Sequence, residues 1–128
     1  MSLIVKLPWP DPGLMPNRKN GRHWGGTQIE KVSARWDAHI LTKAAGGFKA
    51  PDGNIPISLL FLCPDGRARD LDNLLAAMKP AIDGVASALG VDDSRFRPIL
   101  IDKIHSKKPG GVIVAVGVAI TSFVDWPI

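Results

Sequence analysis

The stretch IPISLLFLCPDGRARDLDNLLAAMKPAIDGVASALG, residues 55–90, contains the central pattern of the fold. Its first nine residues form an apolar run that predicts a buried strand. The Pro-Asp-Gly sequence at 64–66 predicts a turn. Apolar residues then recur at helical spacing, which predicts a helix from about Asp70 to Gly90. Pro80 should kink or interrupt that helix, because proline cannot donate to the helical hydrogen-bond ladder.

The flanking sequence supplies the other elements. Residues 3–7 (LIVKL) predict a strand, and a basic loop rich in Gly and Pro follows over 10–28. Residues 29–45 predict an amphipathic helix, with apolar residues at 29, 32, 36, 40 and 41. Residues 96–105 and 111–120 predict two strands joined as a hairpin. The order βαβαββ indicates an α+β fold with one mixed sheet and helices packed on a face.

Length and composition limit the class of protein. The chain has 128 residues, which predicts a single domain over 1–128. The single cysteine, Cys63, cannot form an intramolecular disulfide, and the N-terminus has no leader-like pattern, so we expect a cytoplasmic protein. The apolar run at 111–120 is shorter than the ~20 residues that cross a bilayer, so no membrane association is expected.

The charge is unevenly distributed. The net charge is +4 with a pI near 9.5, which favours polyanionic partners. Residues 65–93 hold six acidic and three basic residues, a local charge of −3, whereas the remainder of the chain carries +7. A basic protein with a concentrated group of carboxylates suggests an anionic substrate that approaches a bound cation.

Asp70 and Asp72 lie two residues apart, at the junction between the predicted loop and helix. Mg²⁺ prefers oxygen ligands and is usually held by one or two carboxylates plus phosphate oxygens, so this junction suits a magnesium site. Alternatively, Asp70 is an N-cap and Asp72 a first-turn acid favoured by the helix dipole. Asp92 and Asp93 follow the same helix, and they are either further ligands or a solvated pair.

Helix geometry adds a cation to this group. With 100° between successive residues, Asp72, Lys79 and Asp83 fall within about 40° of one another on a helix. Lys79 could therefore neutralise phosphate charge beside a metal or donate a proton in the transition state. The alternative is a solvated lysine paired with Asp83 at i,i+4.

Basic residues in the loops are candidates for contacts with nucleic-acid phosphates. The alternative for each is an ordinary solvated charge. The candidates are Arg18, Lys19, Arg22, Arg67, Arg69, Lys107 and Lys108.

The segment RARDLDNLLAAMKPAIDGVASALGVDD, residues 67–93, resembles the RusA-type Holliday junction resolvases, small endonucleases of bacteria and phages. The resemblance extends over about 3–120 and leaves out the tail TSFVDWPI at 121–128. Its motif residues are Asp70, Asp72 and Asn73 of D-x-D-N, then Lys79, Asp83, Asp92 and Asp93, with LPWP at 7–10 and Asn17.

The resemblance implies a homodimer that binds four-way DNA junctions and makes paired symmetric cuts with Mg²⁺, or with Mn²⁺ in its place. It implies that Asp70, Asp72 and Asp93 are the catalytic, metal-binding carboxylates, with Asp92 as a substitute for Asp93. It also implies that Lys79 is the catalytic lysine. The stretch between Asp72 and Lys79 is about one helical turn longer than in some members of that family.

Two other functions fit parts of the pattern. A non-catalytic module that binds branched DNA or RNA would need the same basic loops. A phosphatase of the haloacid dehalogenase type also uses a D-x-D motif at the end of a strand. Here the strand ends near Cys63, seven residues before Asp70, which disfavours the phosphatase.

Overall fold

A computed structural model describes residues 2–15 and 24–127 of the chain. Within these residues the elements alternate as β, α, β, two helices, and two further strands, which confirms the predicted α+β fold with a mixed sheet. The elements are β1 (Leu3–Leu7), α1 (Trp24–Ala45), β2 (Ile55–Cys63), α2 (Leu71–Ala77), α3 (Lys79–Leu89), β3 (Phe96–His105) and β4 (Gly111–Val116). Over the same residues, none of the helices is long and apolar enough to cross a membrane.

The sheet has the order β1-β4-β2-β3. Strand β2 pairs antiparallel with β4 and parallel with β3, so the predicted hairpin between β3 and β4 is wrong. All six residues of β4 are buried, whereas β3 is exposed over much of its length. A strand as apolar as β4 is best accommodated inside the sheet, and the more polar β3 occupies an edge. Strand β4 also ends at Val116, four residues before the predicted end.

The predicted long helix is divided in two. Helix α2 ends at Ala77, and Met78 serves as both its C-cap and the N-cap of α3. Pro80 lies in the first turn of α3, where its missing N–H costs least, so the expected interruption is confirmed. Helix α3 ends at Leu89, and its C-cap, Gly90, has a left-handed backbone with φ of 70°.

Apolar side chains cover both faces of the sheet. The larger core lies between the sheet and the helices, and Phe61, Val114 and Val85 are fully buried in it. On the opposite face, Trp126 packs with Leu60, Ile113 and Ala115 of the sheet. The tail beyond residue 120 is therefore part of the packed structure, although the sequence motifs assigned it no role.

Helix α1 packs closely against α3. A Cβ atom on Gly84 of α3 would lie 2.1 Å from the carbonyl oxygen of Arg35, so the two helices meet at backbone distance. The contact uses small side chains such as Ala38, which is buried. The large apolar side chains of α1 consequently face outward, which is the reverse of the usual amphipathic arrangement. This exposed stripe consists of Ile29, Val32, Trp36, Ile40 and Leu41, which are 37% to 72% exposed.

Candidate metal and nucleic-acid site

The turn after β2 is organised by Asp65. Its carboxylate accepts a hydrogen bond from the backbone N–H of Arg67 at 3.0 Å and forms an ion pair with Arg69 at 2.9 Å. The backbone donor first, and then the Arg69 guanidinium, lowers the pKa of Asp65 below its ordinary value. Asp65 therefore fixes the course of the chain just before the D-x-D motif.

Arg67 and Arg69 have different surroundings, although the sequence suggested the same role for both. The Arg69 guanidinium lies 5.1 Å from the centre of the Trp9 ring, and its side chain is only 15% exposed. It joins the LPWP segment to the turn. The side chain of Arg67 is 83% exposed, so it can reach a ligand in solution.

Asp70 and Asp72 lie at the beginning of α2. Asp70 occupies the N-cap position with an extended backbone, but its side chain makes no capping hydrogen bond. Asp70 lines a cleft of about 470 Å³ together with Trp9, Arg67 and Asn73. Asp72 is exposed in the first turn and accepts from the N–H of Asn73 at 3.1 Å. Asp70 therefore occupies the N-cap position that the alternative predicts, but its side chain does not cap the helix.

The two acids after α3 are held differently. Asp92 accepts from the N–H of Ser94 at 2.8 Å, and this hydrogen bond lowers the pKa of Asp92. The Asp93 carboxyl instead lies near that of Asp83 in α3. That contact, followed by partial desolvation and repulsion from Asp83 and Asp92, raises the pKa of Asp93. The left-handed turn at Gly90 returns the chain so that Asp93 meets Asp83.

The carboxylates do not gather into one group. Among the residues described, no three His, Cys, Asp or Glu side chains are arranged to hold a metal ion, so Asp70, Asp72 and Asp93 do not form a three-ligand site within one chain. Lys79 and Asp83 line a cleft of about 370 Å³ together with Arg35 of α1. Asp72 is not among the residues that line it, although Ala76 of the same helix is.

The basic candidates are only partly covered. Arg18, Lys19 and Arg22 lie outside the described residues. Lys107 and Lys108 are exposed in the turn between β3 and β4. Lys103 and His105 of β3 were missed by the sequence analysis, yet they line a cleft with Arg67. The parallel pairing that brings them there could not be recognised once β3 was assigned to a hairpin.

The fold and these side chains define an α+β protein with exposed carboxylates at the start of one helix and beside the next. A protein of Xylella fastidiosa (strain Temecula1), described as an uncharacterized protein, is 35% identical over 117 residues, which cover 88% of this chain and 74% of that protein. The chain belongs to the same family as that protein. No family model matches the chain.

Proposed function

We propose that this protein is a magnesium-dependent endonuclease of the RusA type, which resolves four-way DNA junctions by paired cuts. The observation that carries the proposal is the placement of Asp70. Its carboxylate makes no cap to α2, and the residue lines an open cleft together with the exposed Arg67. A carboxylate and a cation at one cleft suit a phosphodiester that is bound together with a divalent ion.

The donor set fits magnesium. Asp70 and Asp72 offer hard oxygen atoms, and two carboxylates are sufficient where phosphate oxygens and water complete the octahedron. These two residues would hold the ion, and they would bind Mn²⁺ through the same oxygen atoms. When bound, the ion supplies positive charge to the scissile phosphate and lowers the pKa of a water molecule.

The chain's own residues position the substrate and stabilise charge. Arg67, at the rim of the cleft, orients the sugar-phosphate backbone next to Asp70. Lys79 lines the neighbouring cleft with Asp83; where the bound strand extends into that cleft, Lys79 would neutralise the charge that develops on the phosphate as water adds and the P–O bond to the leaving oxygen breaks. Arg69 acts indirectly, because it holds the turn in place through Asp65 and Trp9.

Paired cutting requires two sites, and the exposed stripe of α1 supports a homodimer. Five large apolar side chains on one helix form a surface of the kind that usually marks an interaction site. Two copies related by a twofold axis would present two sites to a junction of the same symmetry. Multi-angle light scattering should give twice the chain mass, and Trp36→Glu should reduce it towards that of one chain. A monomeric wild-type protein would contradict the dimer.

The decisive experiment incubates the protein with a labelled synthetic four-way junction and with a linear duplex, each with and without Mg²⁺. Symmetric nicks that are confined to the junction and abolished by a chelator would support the proposal. A protein that binds the junction and leaves no nick in Mg²⁺ or Mn²⁺ would instead be a binding module for branched nucleic acid. The exposed cations Arg67, Lys107 and Lys108 would contact phosphates in that second function as well.

A further inference from the structure

We infer that Arg67, Lys103 and His105 form a basic cluster that binds the sugar-phosphate backbone immediately beside Asp70. This inference rests on the proposed function and extends it, since it identifies which surface holds the DNA strand next to the cut. Neither Lys103 nor His105 belongs to the motifs of the sequence.

The parallel register places the two β3 side chains on the helix side of the sheet. Phe61 of β2 is the partner of Lys103, and Cys63 is the partner of His105. Partner residues in adjacent strands point to the same face, and both Phe61 and Cys63 are buried in the core beneath the helices. Lys103 and His105 therefore point to the face that carries α2. They remain exposed there because β3 is an edge strand.

Lys103 makes direct contact with the turn that carries the carboxylates. Its ammonium group donates a hydrogen bond to the carbonyl oxygen of Arg69, the residue before Asp70. A lysine ammonium has three N–H donors, so two remain for a ligand. A phosphate bound at Lys103 would therefore lie beside the beginning of α2, where Asp70 and Asp72 are placed.

The charge around this position is predominantly positive. Arg67, Lys103 and His105 line one cleft of about 290 Å³ at the carboxyl ends of the parallel strands β2 and β3. Ligands of open α/β sheets commonly bind at this end of the strands. The acidic residue at the cleft, Asp65, pairs with Arg69 at 2.9 Å and more distantly with Arg67 at 4.0 Å. Two further exposed lysines, Lys107 and Lys108, follow shortly after the end of β3.

The test measures how junction binding depends on salt. A fluorescein-labelled four-way junction is titrated in EDTA over a range of KCl concentrations, and log Kd is plotted against log salt. Each lost phosphate contact should reduce the slope by about 1. Arg67→Gln and Lys103→Gln should each show this reduction, and the double variant about twice as much. Lys103→Arg should restore the slope, because it keeps both the charge and a donor to Arg69.

The matched control is Lys6→Gln. Lys6 is an exposed lysine of β1, the strand at the opposite edge of the sheet, and its partner Ile113 lies in the core on the other face. This variant should keep the wild-type slope. Circular dichroism melts identify any loss of folding in Lys103→Gln. In that case Arg67→Gln, whose side chain is mostly exposed, carries the test.

The outcomes separate the basic cluster from the nuclease. Slopes equal to that of Lys6→Gln would overturn the cluster, even if the wild-type protein cuts junctions in Mg²⁺. Reduced slopes in a protein that never cuts would support the cluster and reject the nuclease. A wild-type protein that binds neither junction nor duplex would overturn both.

Discussion

The turn before α2 and the turn after α3 contain the same residue types but use them differently. In each, one aspartate accepts from the backbone N–H two residues later: Asp65 from Arg67, and Asp92 from Ser94. Each of these hydrogen bonds lowers the pKa of its aspartate. The second aspartate has a different environment in each turn. Asp70 lines a cleft with Arg67, whereas Asp93 lies near the carboxyl of Asp83.

Backbone hydrogen bonds therefore distinguish the acids within a turn: one aspartate accepts from a backbone N–H, and the other keeps its oxygens available for other contacts. An aspartate that satisfies a turn N–H has one oxygen committed, and its charged form is favoured. An aspartate held against another carboxylate has its charged form disfavoured, and a cation would relieve that repulsion. The two regions therefore present one pair of acids near positive charge and one acid, Asp93, whose pKa is raised by neighbouring carboxylates.

The largest expected effect follows Asp70→Asn. Replacing one carboxylate oxygen by an amide weakens metal binding and removes charge, so junction cleavage should fall by at least ~100-fold, since even indirect partners of metal ligands are worth 10- to 100-fold. Junction binding in EDTA should be retained. Asp52→Asn, in the exposed loop before β2, is the matched control and should cleave like the wild type. Unchanged cleavage by Asp70→Asn would remove Asp70 from the mechanism.

A second experiment compares the adjacent acids Asp93 and Asp92. Asp93→Asn should slow cleavage by roughly 10-fold or more if Asp93 supplies an oxygen to the ion or to its water shell. Asp92→Asn should cleave close to the wild-type rate, because the Asp92 carboxylate is committed to the N–H of Ser94. Its melting temperature should fall instead. Equal cleavage by the two variants would show that the distinction between the acids does not extend to catalysis.

Gly90 tests how the second region is assembled. Its left-handed backbone is disfavoured for residues with a Cβ, so Gly90→Ala should cost about 1 kcal/mol of folding stability. Asn tolerates this backbone better, so Gly90→Asn should cost less. Gly66→Ala, in the turn before α2, is the matched control because its added Cβ would meet no atom within 4 Å. Chemical denaturation measures all three, and an equal cost at Gly66 and Gly90 would contradict the argument.

Strand positions and the helix break could be predicted from the sequence because they depend on local patterns. The bounds of β2 follow from an uninterrupted apolar run, and Pro80 marks the interruption between α2 and α3. The neighbours of β3 could not be predicted in this way. Strand pairing depends on which strand is covered on both sides, and that is a property of the whole sheet rather than of the turn at 107–110.

The candidate site was predictable in its residue types but not in its geometry. The spacing of Asp70 and Asp72 predicts a ligand pair, which stays a prediction, and the structure shows that the Asp70 side chain does not cap α2. The distinction between Asp92 and Asp93 depends on one backbone hydrogen bond and on the return of the chain at Gly90. Lys103 became visible only through its partner across the sheet. Local sequence does not encode either relation.

The smallest expected effect is the pH dependence of stability at Asp93. Its pKa is raised in the folded protein above the ordinary value of 3.8, so the folded state binds this proton more tightly than the unfolded state. The favourable contribution is complete below that value and is lost as the pH rises through the raised pKa. Asp93→Asn removes the repulsion from Asp83, so its melting temperature should exceed that of the wild type at neutral pH. The difference should shrink as the pH is lowered towards 3. Melting curves from pH 3 to 7 measure this difference, and a difference that is constant with pH would show that the Asp83–Asp93 contact does not control this titration.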